Sequence, residues 1–201
     1  MLDARLRSAL EPSLSAIGGR LAGAGLSPDA VTAVGWVAGA GACVAAGVKA
    51  WGVALALWLA NRALDGLDGA IARARRPTAR GAFLDIVADF SIYAGFVLGV
   101  AAAEPRARLM CVALLCTYYV SGSALLALSS LLERRGIRPS DGRSLQLLGG
   151  LAEGAETIIA YVLLCLLPGS ARTIAGGFAV LVAVTALQRI AAGVRLLSAD
   201  G

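Results

Sequence analysis

The sequence predicts an all-α integral membrane protein, with six transmembrane helices preceded by an N-terminal amphipathic interfacial helix. Three observations carry that expectation. Hydrophobic residues make up 58% of the 201-residue chain, and the charged residues, 15%, are clustered so that long runs hold none. Mean hydropathy is +0.77, well outside the range of soluble globular domains. The apolar runs are close to about 20 residues, the length that crosses a bilayer core as a helix, and they lack the strict alternation of a membrane barrel.

The elements follow in order. Residues 1–24 set Arg5, Arg7 and Arg20 among Leu2, Leu6, Leu10, Leu14 and Ile17 at helical spacing. This predicts a juxtamembrane helix on the bilayer surface rather than a cleavable signal, because charges interrupt it and no apolar segment follows at once. Residues 25–201 form the second unit, the six-helix domain. Ser27-Pro28-Asp29 opens its first run, with Ser27 as the cap and Pro28 at the first helical position. Spans are placed near 29–48, 51–72, 82–102, 108–131, 149–167 and 173–196. An even number of spans puts both termini on one side.

Arginine sets the orientation. One side holds Arg5, Arg7, Arg20, Arg73, Arg75, Arg76, Arg80, Arg134, Arg135, Arg138, Arg143 and Arg195, the other only Lys49, Arg106, Arg108 and Arg172. The positive-inside rule makes the richer side cytoplasmic. Both termini and the site described next therefore face the cytoplasm, with the chain multi-pass in the inner membrane. The net charge of +5 does not point to nucleic acid, since no aromatic residues interleave with the arginines and no DNA-reading motif is present. The chain contains no histidine, which excludes histidine-based catalysis. Cys43, Cys111, Cys116 and Cys165 lie within apolar runs without a CxxC pair, which predicts small buried hydrophobes rather than metal ligands or disulfides.

Aspartate carries the chemistry. Asp65 and Asp68 stand at i,i+3 near the end of the second span, and Asp85 and Asp89 at i,i+4 near the start of the third. Each pair shares a helix face. A carboxylate within a bilayer costs about 2.5–3.5 kcal/mol on insertion scales, and clustered carboxylates repel one another. A cation between them resolves both problems. Oxygen-only ligands suit hard ions such as Mg²⁺ or Mn²⁺, and four carboxylates can bracket two ions around a phosphate undergoing displacement. Arg73, Arg75, Arg76 and Arg80 follow, able to hold phosphate oxygens. Gly69 and Gly81 remove side chains where a diphosphate would approach, although each taken singly reads equally as helix packing.

The run Asp65-x2-Asp68-Gly69-x2-Ala72-Arg73-x7-Gly81-x3-Asp85-x3-Asp89 resembles the signature of the CDP-alcohol phosphotransferases, with all eight fixed positions present. The resemblance implies that Asp65, Asp68, Asp85 and Asp89 bind two divalent cations, Mg²⁺ or Mn²⁺. It implies that Asp68, Gly69, Ala72, Arg73 and Gly81 line the CDP site, and that Asp89 is the catalytic base. The implied reaction is phosphatidyl transfer from CDP-diacylglycerol to a small alcohol acceptor, releasing CMP, in phospholipid biosynthesis. It also implies a homodimer.

The acceptor is open at this point. Arg134, Arg138 and Arg143, before the fifth span, suit a phosphorylated alcohol or simply set topology. Glu153 and Glu156, at i,i+3 in the fifth span, suit an amine or a neutral polyol, or pair with Arg62, Arg143 or Arg189. Asn61-Arg62 before the motif, together with the fifth span's Gly- and Glu-rich start, resembles a subgroup of bacterial members. The alternatives are transfer of a small CDP-alcohol onto diacylglycerol, a membrane prenyltransferase, and a divalent-cation transporter lined by acids.

Overall fold

The computed structural model describes residues 2–134 and 154–198, with side chains from residue 11 onward. The described residues are helical and contain no strand. In chain order they form α1 (Leu2–Gly23), α2 (Pro28–Gly47), α3 (Trp51–Arg75), α4 (Ala79–Ala103), α5 (Arg108–Arg134), α6 (Gly154–Leu166) and α7 (Ala171–Ser198). Short 3₁₀ turns at Pro105–Ala107 and Pro168–Ser170 lead into α5 and α7. Among the described residues, four segments are long and apolar enough to cross a membrane: Pro28–Gly47, Ala79–Ala103, Pro105–Arg134 and Pro168–Ser198. The 25-residue α3 has the length, but Arg62, Asp65, Asp68, Arg73 and Arg75 give it a different character. The described part of the fifth predicted span is an apolar helix of 13 residues.

Local sequence explains the helix boundaries. Ser27 has the extended backbone of a cap residue and Pro28 opens α2, as expected, but the Ser27 side chain makes no capping hydrogen bond. The fixed φ of Pro28 and the negative charge of Asp29 at the helix N-terminus mark that start instead. The capping chemistry appears at α4, where the Gly81 N–H donates to Thr78 Oγ1 at 3.0 Å. Between α2 and α3 the chain reverses within a few residues, with Lys49 at φ 64° in the left-handed region. Lys49 Nζ lies 3.5 Å from Glu104 Oε1 just beyond α4. The turn after α2 and the end of α4 thus share one end of the bundle. The aspartate motif lies towards the other.

Packing follows the rules of a bilayer, not of water. Small side chains sit between the helices, with Ala42, Ala46 and Ala54 fully buried, so that backbones approach closely. A Cβ on Gly99 of α4 would collide with the Cys43 carbonyl of α2 and fall a tight 3.2 Å from both Ala46 Cβ and Gly47 N. Large apolar residues face outward, including Val37, Val44, Leu98 and Leu109. The interior also holds an aromatic cluster. Trp58 of α3 lies with its ring 4.7 Å from Tyr161 of α6 and 5.5 Å from Phe96 of α4. The Tyr161 hydroxyl lies 2.9 Å from the Tyr93 carbonyl as donor and 3.2 Å from the Tyr118 hydroxyl. Of the cysteines, all are free. Cys111 and Cys165 are buried as expected and Cys43 is half-buried, but Cys116 is exposed. The outward side of an apolar helix in this fold is as hydrophobic as its inward side, so sequence alone does not separate them.

The aromatic cluster should dominate local stability. Trp58→Ala is expected to destabilise the protein by about 3–5 kcal/mol, whereas Val44→Ala on the outer face should change it by less than about 0.5 kcal/mol. Unfolding in mixed micelles, followed by helical circular dichroism, measures both.

Candidate metal centre

The aspartates come together because α3 and α4 each pack against α2. Asp65, Asp68 and Asp85 offer carboxylate oxygens that all lie within 4.8 Å of one another. Opposite ligands stand about 4.2 Å apart across Mg²⁺ and about 4.8 Å apart across Ca²⁺, twice the usual bond lengths. The three carboxylates therefore fit a hard divalent ion with only small side-chain adjustment. Their all-oxygen chemistry points the same way. Asp68 is 5% exposed, and Asp65 and Asp85 are half-buried.

A hydroxyl from α2 holds the most buried of them. Thr32 Oγ1 donates to Asp68 Oδ2 at 2.6 Å and also lies 3.1 Å from the Pro28 carbonyl. One proton cannot fully serve both acceptors. The shorter, charge-assisted contact to Asp68 is the stronger. Thr32 escaped the sequence reading, since the 36 residues that separate it from Asp68 hide the contact.

The fourth aspartate is engaged differently. Arg62 Nη2 donates to Asp89 Oδ1 at 2.7 Å, and Nη1 lies 3.4 Å from Asp65 Oδ2. Asp89 Oδ2 has a long contact, 3.5 Å, from the Tyr93 hydroxyl. The Arg62 side chain is only 8% exposed. The sequence offered Arg62 as a partner for the glutamates of the fifth span, but its donors go to Asn61, Asp65, Asp89 and Tyr93. A signal for this existed: an arginine one helical turn before Asp65, inside an apolar helix, is a functional candidate by position alone.

Asn61 completes the frame. Its Nδ2 donates to the Gly35 carbonyl of α2 at 2.8 Å, while its Oδ1 accepts from Arg62. Thr32, Asn61, Asp65, Asp68 and Asp89 line one cleft between α2, α3 and α4. Arg73 is exposed and folds back along α3, so that a Cβ on Gly69 would fall 3.2 Å from Arg73 Nη1. Ala72 and Gly81 are half-buried nearby in sequence. A Cβ on Gly81 would meet Thr78 Oγ1 at 3.2 Å and Asp29 Oδ1 at 3.5 Å. Of the acceptor candidates, Arg134 is exposed at the end of α5 and Glu156 lies in the first turn of α6. Arg138, Arg143 and Glu153 lie outside the described residues.

Comparison with known proteins adds to this geometry. The family model for CDP-alcohol phosphatidyltransferase matches residues 26–187. The chain is 39% identical over 171 residues to the inner membrane protein YnjF of Escherichia coli K12, covering 84% of this chain and 83% of that protein. The crystal structure of Mycobacterium tuberculosis phosphatidylinositol phosphate synthase with CDP-DAG bound shares the fold, with a TM-score of 0.71 and 21% identity over 90% of this chain and 92% of that one. The same synthase in complex with manganese and citrate gives a TM-score of 0.70 at 22% identity, covering 90% and 88%.

Removing the Thr32 hydroxyl tests its role as support for the carboxylates. Thr32→Val should weaken Mn²⁺ binding by about 10–100-fold, the usual effect of losing a group that orients a metal ligand, while leaving the unfolding transition nearly in place. Titration of the purified protein with Mn²⁺, followed by electron paramagnetic resonance, provides the measurement.

Proposed function

The chain belongs to the CDP-alcohol phosphatidyltransferase family, and we propose that it transfers a phosphatidyl group from CDP-diacylglycerol to the hydroxyl of a small polar alcohol, releasing CMP. The observation that carries this reading is the convergence of Asp65, Asp68 and Asp85 on one another, with Asp89 lining the same cleft as Asp65 and Asp68. The Mycobacterium synthase of the same fold, solved with CDP-DAG in one structure and with manganese in another, supports the donor and the need for a metal.

A divalent ion on these carboxylates supplies positive charge to the donor's diphosphate and to the departing CMP. The chain's own residues do the rest. Asp65, Asp68 and Asp85 would hold that ion, whose charge offsets their repulsion of the phosphates. Arg73, exposed beside Gly69, binds phosphate oxygens of the donor, and Gly69 and Ala72 leave room for them. Asp89 takes the acceptor's proton as its oxygen bonds to the lipid-bearing phosphorus and the bond to CMP breaks. Arg62 already engages Oδ1, so Oδ2 is the basic atom. Aspartate is a weak base at neutral pH, so this proton moves late, as the hydroxyl acidifies in the transition state.

The setting is the inner membrane, where the name of its relative YnjF places that protein, and the several apolar helices make the chain multi-pass. Six spans, including α3 and α6, an interfacial α1, cytoplasmic termini and site, and a homodimer complete the reading. For the acceptor, Glu156 at the start of α6 favours an amine or a neutral polyol over a phosphorylated alcohol.

The test is CMP release from CDP-diacylglycerol by the detergent-purified protein, with Mn²⁺ or Mg²⁺, against serine, ethanolamine, inositol, glycerol, inositol phosphate and glycerol phosphate. Metal-dependent release with one acceptor is expected. Asp89→Asn should lower it by at least about 100-fold, the scale of general-base catalysis. Silence with every acceptor, but turnover of a small CDP-alcohol with diacylglycerol, would reverse the donor assignment.

A further inference from the structure

Arg62 is held from every side. Its Nε and Nη2 donate to Asn61 Oδ1 at 2.9 and 2.7 Å, and Nη1 donates to the Tyr93 hydroxyl at 2.9 Å. Its guanidinium carbon stands 5.0 Å from the Trp58 ring centre and 5.1 Å from that of Tyr93, within the range of cation–π attraction. Asn61 is itself tied to the Gly35 carbonyl at 2.8 Å. This guanidinium is a built fixture, anchored in α2, α3 and α4 before it meets any carboxylate.

What it then meets divides the aspartates. Asp65, Asp68 and Asp85 converge on one another, whereas Asp89 Oδ1 is taken at 2.7 Å by Arg62, which also reaches Asp65 Oδ2 at 3.4 Å. We propose that Arg62 occupies the place of a second cation, so that the site takes one divalent ion, on Asp65, Asp68 and Asp85, while the guanidinium balances and positions Asp89. This rests on the metal-dependent reading of the site and departs from the two ions that the motif resemblance implies. A second ion shared by Asp65 and Asp89 would have to sit against a buried positive charge. Moving that charge aside would leave the Asn61 oxygen and the Tyr93 hydroxyl without their donor. Arg62 is on this view a positioning residue. It fixes which carboxylate oxygen of Asp89 is free and supplies a permanent charge where an ion would be exchangeable.

The experiment counts Mn²⁺ per chain in the detergent-purified protein, by calorimetric titration together with electron paramagnetic resonance at saturation. The wild-type protein should bind one ion per chain and give the signal of isolated Mn²⁺. Asp89→Asn should leave that count at one and the affinity within about threefold, while Asp85→Asn should weaken binding by more than about 100-fold, beyond the effect of losing a merely supporting group. Arg62→Met, which frees Asp89 and removes the charge, should admit a second ion and produce a spin-coupled spectrum. Arg62→Lys keeps the charge and should stay at one. Two spin-coupled ions per chain in the wild-type protein would overturn the proposal, whatever the variants do. Loss of ion binding in Asp89→Asn would overturn it as well. If the folded wild-type protein binds no Mn²⁺ at all, the metal-dependent reading itself falls, and this inference falls with it.

Discussion

Four carboxylates stand close together inside a helix bundle whose outer surface is apolar, Asp65, Asp68 and Asp89 in one cleft and Asp85 beside the first two, and their mutual repulsion is the constraint around which the neighbouring structure is arranged. Burial leaves water little room to screen them, with Asp68 only 5% exposed and the other three half-buried, and a carboxylate is expensive to bury alone. The structure answers with specific partners. Thr32 donates to Asp68, Arg62 donates to Asp89 and approaches Asp65, and the remaining oxygens are gathered where a hard cation fits. Those partners in turn need positions of their own. Asn61 bonds the Gly35 carbonyl, the aromatic rings of Trp58 and Tyr93 flank the guanidinium, and small residues bring α2 and α4 within reach of each other.

This explains why polar and apolar packing cannot be separated here. Trp58 belongs to the aromatic cluster that joins α3 to α4 and α6, and it is also the surface on which Arg62 rests. Tyr93 stacks in the same cluster, with its ring 6.3 Å from Tyr118, and its hydroxyl accepts a hydrogen bond from Arg62. A change in the core is transmitted to the charge arrangement through rigid rings. The charge arrangement, in turn, fixes the depth at which α3 meets its neighbours.

Much of this was legible in the sequence, for identifiable reasons. Asp65, Asp68, Asp85 and Asp89 stand out because aspartate is costly in apolar helices, and their spacing fixes the shared faces. The start of α2, the turn into α3 and the break before α4 follow from Pro28, Lys49 and the basic run after Arg73, although α4 begins at Ala79, ahead of the expected 82. What was not legible was pairing across helices. Thr32 is an unremarked hydroxyl until α2 lies against α3, and Arg62 could be matched to glutamates because nothing in a linear sequence says that Asp89 is closer. Cys116 shows a similar gap, since an apolar run does not reveal which side meets lipid. The division of the carboxylates into three and one exists only in three dimensions.

The composition of α3 has a consequence for how the bundle comes to exist. Alone in hydrocarbon, a helix carrying Arg62, Asp65 and Asp68 is a poor guest, at about 2.5–3.5 kcal/mol for each such group. Its tight reversal from α2 through Lys49 delivers it beside Thr32 and Gly35, and α4 then brings Asp89 to the guanidinium. If α3 spans the bilayer as proposed, the residues that form the site are also what would retain it among its neighbours during membrane insertion. In this protein, topology and chemistry are written in the same few side chains, and a chain that assembled α3 without α2 and α4 would have neither.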